Sequence, residues 1–381
     1  MDFEQALQQL RDENLFRERV VRTSKIGRYV SVHGKQLLNF NSNDYLGLSG
    51  HPELITAATQ AAQRFGYGAT GSPLISGYTS IHQELEYALA QHMGFERALL
   101  FSSGFLANLG VAQSMLGRHD TIIQDKLNHA SLIDAAKLTD AKLKRYPHND
   151  MQKADQLLEQ YATENTLLCS DGIFSMDGDS ADLLNLSVLA LKHDVSLWID
   201  DAHGIGVYGE HGRGLMESCD LQPENMDILS GTLGKAFGTA GAFVLGSSDR
   251  IEWILQKART YKYNTSMPVA DAAAALKALE MIQTEPWRRE KLWELIYYYK
   301  QQLNAYDLPE TQSDSAIQPF IIGDSKATLE MAQNMIEKGI YVTAIRPPTV
   351  PQGSGRLRIT LSSLLEKEDI DILIQCLLGN Y

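Results

Sequence analysis

Lys235 lies in the run Ser230-Gly231-Thr232-Leu233-Gly234-Lys235-Ala236-Phe237-Gly238, just after a short apolar stretch and among residues small enough to leave room for something flat and bulky. Such a place desolvates part of the amine, so that its neutral form can serve as nucleophile and base. Taken alone, a lysine at such a spot is more often an ordinary surface residue. A second run, Asp200-Asp201-Ala202-His203-Gly204, follows the apolar stretch 195–199. A carboxylate at a strand's end can hold the protonated nitrogen of a pyridine ring, and an imidazole three residues on can donate to a phenolic oxygen. Lysine, carboxylate and imidazole together suit pyridoxal phosphate, whose charged ring draws electrons from the Cα of a bound amino acid. The plainer reading leaves Asp201 capping the next helix and His203 filling a turn.

Two further groups follow the same plan. Ser102-Ser103-Gly104-Phe105 comes after an apolar run and opens a helix containing Ala107 and Asn108; free backbone N–H groups at a helix start cradle phosphate. Asn128-His129-Ala130-Ser131 follows the run 121–124, and an imidazole there can stack on a cofactor ring. Each signal is weak by itself, since such turns and lone histidines are commonly structural.

The elements that must position these groups are six apolar runs at 98–101, 121–124, 166–170, 195–199, 227–230 and 242–246. Most are separated by enough chain for a crossover helix. Short, nearly continuous apolar strands alternating with helices imply a mainly parallel sheet covered on both faces. Ligands of such sheets bind beyond the carboxyl ends of the strands, and all four groups fall there. Ahead of the sheet, residues 1–50 are expected to hold an amphipathic helix and strands at 29–32 and 36–39. Pro52 should open a helix that Gly66 stops. Ser80 to Gln83 reads as a capping box on a helix that Gly94 ends. Residues 51–285 are assigned to a large cofactor-binding domain and 286–381 to a small α+β domain. The small domain should contain strands at 317–322, 341–345 and 357–361 and helices at 326–338 and 366–378.

The composition sets outer bounds. The chain has 381 residues, 44% hydrophobic and 21% charged, with a formal net charge of −13. That acidity disfavours a general nucleic-acid or anionic-membrane surface. Cys169, Cys219 and Cys376 are far apart and form no CxxC pair, which fits a reducing compartment rather than a disulfide scaffold. No long apolar run spans a membrane, the polar start Met1-Asp2-Phe3-Glu4-Gln5 is not a secretory signal, and no histidine or cysteine has metal-ligand spacing. A cytoplasmic enzyme without a metal is expected.

The motifs taken in order resemble the α-oxoamine synthases. Asn43-Asp44-Tyr45-Leu46-Gly47-Leu48, Ser103-Gly104-Phe105, Asn128-His129-Ala130-Ser131, Asp171-Gly172-Ile173-Phe174-Ser175-Met176-Asp177-Gly178-Asp179, Asp200-Asp201-Ala202-His203-Gly204 and Gly231-Thr232-Leu233-Gly234-Lys235 occur in that family's order. The resemblance runs from about residue 40 to residue 361. It implies the fold-type I, aspartate-aminotransferase-like architecture, with a mainly parallel seven-stranded sheet, and a homodimer with shared active sites. Lys235 would then bind pyridoxal phosphate and move the Cα proton. Asp200 would pair with the ring nitrogen, His203 with the phenolic oxygen, and His129 would stack on the ring. Gly104, Phe105 and Thr232 would take the phosphate, with Thr265 or Ser266 reaching in from the partner subunit. Asp171 and Ser175 would lie around the ring, and Arg358 would grip the amino acid's carboxylate.

Within the family, Thr343-Ala344-Ile345-Arg346-Pro347-Pro348-Thr349-Val350-Pro351 resembles the branch that joins L-alanine to a pimeloyl thioester, carried on coenzyme A or an acyl carrier protein. Arg17, Arg346 and Thr349 are its candidate acyl-binding residues, with an ordinary surface role equally open for either arginine. Two positions depart from the pattern: Pro73 stands where a larger polar or basic residue is expected, and Asp171 where some relatives carry glutamate. The rival readings are a sister synthase using glycine and an acetyl thioester, and a non-catalytic regulator built on the same body.

Overall fold

The computed structural model describes residues 2–309 and 311–379. The chain divides into two units, one of Met1–Gly47, Met176–Asp179 and Glu290–Tyr381, the other of Leu48–Ser175 and Ser180–Arg289. The first two strands, β1 (Tyr29–Val32) and β2 (Lys35–Asn39), belong to the former. The larger unit is built on β3 (Arg97–Phe101), β4 (Thr121–Asp125), β5 (Lys142–Tyr146), β6 (Thr166–Asp171), β7 (Ser196–Asp200), β8 (Ile228–Thr232) and β9 (Ala242–Gly246).

These seven strands form one sheet in the order β3-β9-β8-β7-β6-β4-β5. Every neighbouring pair from β8 to β5 is parallel, and β9 alone runs antiparallel to both its neighbours. A strand reversed between β8 and β3 leaves those two pointing the same way. Register then brings their ends level: Phe101 and Thr232 both pair with Ala242, and Asp171 pairs with Asp200, which pairs with Ser230. The carboxyl ends of β3, β4, β6, β7 and β8 thus open on one edge.

The six apolar runs became strands because they are buried on both faces. Trp198, Cys169, Leu167, Ile122, Leu99 and Val244 share one core cluster with the helices Gly104–Met115 and Ser248–Lys257. Burying side chains of this size stabilises the fold by about 1.5–3 kcal/mol each. The seventh strand was missed by apolar patterning. Three of the five residues of Lys142-Leu143-Lys144-Arg145-Tyr146 are charged, which suits an edge strand that must not pair further. Gly231 is set by packing, since a Cβ there would stand 2.5 Å from the Phe243 ring and 2.7 Å from Ile205.

Helix ends follow local signals. Pro52–Phe65 has Pro52 in its first turn and Gly66 beyond its end. The helix Ser80–Met93 is capped one residue earlier than the sequence suggested: Thr79 is the N-cap, and His82, not Gln83, closes the box through Nδ1. Imidazole nitrogen can replace the usual carboxylate or amide as acceptor.

In the smaller unit, residues 1–47 do not stand apart from the C-terminal segment as expected, because β11 (Ile340–Tyr341) pairs in parallel with β2. The sheet β1-β2-β11 lies beside a second one of β10 (Ile317–Gly323), β13 (Gly355–Thr360) and β12 (Thr343–Ile345). The single strand expected at 341–345 is therefore two, serving different sheets. Lys367–Leu378 forms the last helix, and among the described residues no helix is long and apolar enough to cross a membrane.

Candidate active site

A cavity of about 210 Å³ opens at the strand ends of the larger unit. Lys235, Asp200, His129 and His203 line it from the exits of three strands, β8, β7 and β4. Gly104, Phe105, Thr232 and Ser175 complete the wall where the sequence placed them, and so does Asp171.

The phosphate-sized end is built from the start of Gly104–Met115. Ser103 is the N-cap: its Oγ accepts from Leu106 N at 3.3 Å and its carbonyl from Ala107 N at 3.0 Å. The Gly104 and Phe105 amides lie ahead of those bonds, at the positive end of the helix dipole. Thr232 faces them from β8, its hydroxyl donating to Gly241 O at 3.2 Å and accepting from Gly234 N at 3.2 Å. That second bond shapes the turn carrying Lys235.

The ring-sized part is ordered by carboxyl groups. Asp200 Oδ2 accepts from Asn108 Nδ2 at 2.6 Å, and Oδ1 from Ala202 N at 3.2 Å. Asp171 Oδ2 accepts from His129 N at 2.9 Å, so the acid fixes the backbone from which the imidazole projects. His129 Nδ1 accepts from Ser131 N at 3.2 Å and lies 2.8 Å from Ser131 Oγ, which leaves its proton on Nε2. The ring is open on its cavity side, but the protein around it, only partly countered by the Asp200 charge, keeps its pKa below the ordinary value. A neutral imidazole is therefore available for stacking near neutral pH.

Burial pushes Asp171 well above the usual carboxylate range, and the Asp200 charge adds to this. Asp201 is raised to about 7, again by burial first and with Asp200 contributing. Its Oδ2 accepts from Leu215 N at 2.7 Å, the first amide of the short helix Leu215–Ser218, in keeping with the capping role read from sequence. Three glycines wall it in: a Cβ at Gly172, Gly204 or Gly214 would stand 2.5, 2.1 and 2.1 Å from its oxygens.

The remaining expected residues lie elsewhere. Thr265 and Ser266 are not brought to Lys235; they line a separate small cavity with Ser102 and Asn264, where Asn264 Nδ2 donates to Ser102 Oγ at 2.6 Å. Pro73 lines that same cavity. Arg358, Arg17, Arg346 and Thr349 belong to the smaller unit. Arg358 Nη1, buried on β13, donates to Asn43 Oδ1 at 3.1 Å and Thr360 Oγ1 at 3.0 Å. Buried Tyr45, pushed up to about 12 by desolvation, donates to the same Asn43 oxygen at 3.3 Å. Arg17 donates to Pro347 O at 3.3 Å and Thr349 Oγ1 at 3.2 Å. Arg346 is buried and bonds the Asn14 and Phe16 carbonyls, so it anchors the segment that carries Arg17.

Comparison with known proteins agrees with this arrangement. Residues 35–377 match the family model for aminotransferase class I and II. The 8-amino-7-oxononanoate synthase of Saccharophagus degradans is 47% identical over 96% of this chain and 92% of its own. That of Pseudomonas putida is 46% identical over 100% of this chain and 97% of its own. The chain belongs to the 8-amino-7-oxononanoate synthase family. It is thus a pyridoxal-phosphate-dependent acyltransferase of fold-type I architecture, with the mainly parallel seven-stranded sheet the sequence implied.

Backbone shape alone does not separate this family from its sisters. A solved 8-amino-7-oxononanoate synthase from Francisella tularensis is 31% identical, with a TM-score of 0.77 over 91% of this chain and 99% of its own. Sphingomonas wittichii serine palmitoyltransferase is 30% identical, with a TM-score of 0.93 over 100% of this chain and 96% of its own. The 8-amino-7-oxononanoate synthase assignment rests on sequence identity, and the fold is common to both.

The residues present fit the cofactor of the family. An amine for an aldehyde, a carboxylate for a protonated ring nitrogen, imidazoles for the ring face and its phenolic oxygen, and amides for a phosphate all converge on one cavity. Asn108, Ser131 and Asp201 were not singled out as site residues from sequence. A neutral amide inside a helix carries no spacing signal, and only its contact with Asp200 reveals it.

Proposed function

We propose that this chain condenses L-alanine with a pimeloyl thioester, releasing carbon dioxide and the free thiol and giving 8-amino-7-oxononanoate for biotin synthesis. The observation that carries the reading is the convergence of Lys235, Asp200, His129 and His203 on one cavity in a chain 46–47% identical to such synthases over 96–100% of its length.

Bound pyridoxal phosphate supplies an electron sink for the negative charge that develops at the alanine Cα. The chain's own groups do the rest. Lys235 Nζ takes the Cα proton and returns one after decarboxylation, which suits an amine at the cavity wall. Asp200 keeps the ring nitrogen protonated, and His203 donates to the phenolic oxygen. His129 covers the ring face as a neutral imidazole, and Ser175 borders the ring. The Gly104 and Phe105 amides and the Thr232 hydroxyl hold the phosphate. Arg358 fixes the alanine carboxylate through its guanidinium, and so selects which Cα bond is broken. Arg17 and Thr349 take the far end of the acyl chain, with Arg346 bracing them.

Thr265 and Ser266 line a different cavity within one chain, which supports a homodimer in which each copy completes the other's phosphate site. Coenzyme A and acyl carrier protein are both open as the acyl carrier. Three cysteines without disulfides support a cytoplasmic setting.

The test is an absorbance spectrum of the purified protein, then titration with L-alanine, glycine and L-serine before adding pimeloyl-CoA. Serine is included because the backbone matches serine palmitoyltransferase so fully. We expect a cofactor band near the visible edge that responds to alanine most strongly and changes again with the thioester. A stronger response to glycine or serine reassigns the amino acid; no band after reconstitution overturns the catalytic reading.

A further inference from the structure

Asn108 lies one turn beyond Gly104 on the helix Gly104–Met115, on the face that the phosphate end shares. It is 1% exposed and lines the cavity. Both hydrogens of its amide are used. One bonds Asp200 Oδ2 at 2.6 Å and the other Ser131 Oγ at 2.9 Å. Ser131 Oγ, having accepted that bond, donates its own hydrogen to His129 Nδ1 at 2.8 Å. The orientation of the amide is decided by Asp200, because the flipped form would set its oxygen against a carboxylate. Among the described residues the buried Asn108 Oδ1 has no hydrogen-bond partner, so the amide is held through its donors.

We propose that Asn108 is a positioning residue that ties Asp200, which would pair with the ring nitrogen, to His129, which would cover the ring face, through Ser131. The proposal rests on the pyridoxal-phosphate reading above. One amide then sets the rotamer of the carboxylate and, two bonds along, the tautomer and tilt of the imidazole. Because the same helix begins at the phosphate cradle, the three contacts of the cofactor are referred to one rigid element. A group held from a helix is placed more tightly than one held from a loop, and a misplacement of about 1 Å can lower a rate about 100-fold. Ser131→Ala breaks only the His129 arm, whereas Asn108→Ala breaks both.

The experiment compares wild type, Asn108→Ala and Ser131→Ala as holoenzymes. Three quantities are read: the cofactor absorbance spectrum from pH 5.5 to 9, the cofactor dissociation constant, and exchange of the alanine Cα proton for deuterium without acyl thioester. Each protein is also loaded with a cofactor analogue carrying carbon in place of the ring nitrogen. We expect Asn108→Ala to slow exchange by about 100-fold, to alter the pH response of the spectrum, and to leave alanine binding nearly unchanged. Ser131→Ala should lie between it and wild type. With the carbon analogue the difference between Asn108→Ala and wild type should shrink to that shown by Ser131→Ala, since Asp200 then has no ring nitrogen to hold and only the His129 arm still counts.

An equal loss with the analogue would mean that Asn108 serves only the fold, and the proposal fails. Wild-type exchange and spectrum in Asn108→Ala overturn it directly. Should that variant take up no cofactor, wild-type behaviour of Ser131→Ala overturns the link to His129. If wild type itself binds no pyridoxal phosphate, the functional reading fails rather than the role of Asn108.

Discussion

At the ends of β6 and β7, buried Asp171 and Asp201 flank half-buried Asp200, whereas the hydrogen bonds of Arg17 and Arg346 in the smaller unit go, among the described residues, to neutral oxygens. Acids answer crowding by taking up protons: Asp171 and Asp201 are both raised, and the charge of Asp200 is one cause of each. Guanidinium groups cannot answer in that way, because they do not lose their proton near neutral pH. Arg346 is lowered by burial and by Arg17, yet remains a cation surrounded by carbonyls. The contrast is sharp beside Arg356, two residues before Arg358, whose charge is matched by Asp177 at 2.5 Å. One region gathers acids around Asp200, the residue proposed for a cationic ring; the other keeps guanidinium charge, proposed for an anion that arrives with the substrate.

The largest effect should come from removing the concentrated charge. Asp200→Ala should lower turnover by about 1,000-fold, in line with the loss of a preorganised electrostatic contact, and weaken cofactor binding measured by equilibrium dialysis. A loss under 10-fold would break the comparison, since the ring would not need that carboxylate. Arg358→Ala should come next, raising the KM for alanine by roughly 10- to 100-fold, the equivalent of a hydrogen bond to a charged group. Steady-state kinetics should show the change mainly in KM; an unchanged KM would place the amino acid's carboxylate elsewhere.

Arg17→Ala should raise the KM for the pimeloyl thioester by only about 2- to 5-fold, because the guanidinium is exposed. Comparing the free acid with its methyl ester would sharpen the point: the variant should lose most of the preference for the acid.

The smallest effect is on stability. Asp201 has a folded pKa of about 7, against about 4 in an unfolded chain. Between those values the native state keeps a proton that the unfolded chain releases, so this group's contribution is full below pH ~4 and is lost as pH rises towards 7. Asp201→Asn, which cannot titrate, should flatten that slope by about 3 °C in Tm between pH 5 and pH 8. Parallel Tm-against-pH curves for the two proteins would show that the buried carboxyl does not titrate there.

The sheet and its strand-end chemistry were legible because each candidate residue there falls within about five residues of the end of an apolar run. Lys235, Asp200, His129 and Gly104 all sit where a parallel sheet must present its ligands. β5 was hidden because its charges suit an edge, and the split of 341–345 was hidden because both halves are equally apolar while the sheets they join are set by distant partners. Thr79 and Ser80 are both good caps, and only His82 Nδ1 decides between them. The Asn108–Asp200 contact and the approach of Gly172 to Asp201 join segments about 90 and 30 residues apart in the chain, which no local pattern records. Arg346 was visible as a cation, but its attachment to the Asn14 and Phe16 carbonyls was not.

The most direct measurement is the fate of the alanine carboxyl carbon. Purified protein loaded with pyridoxal phosphate would be given L-alanine labelled at that carbon together with pimeloyl-CoA, and gas and solution analysed by mass spectrometry. We expect labelled carbon dioxide, free coenzyme A and unlabelled 8-amino-7-oxononanoate in equal amounts. Label retained in alanine or in the condensed product, with no carbon dioxide formed, would contradict the proposed decarboxylative condensation.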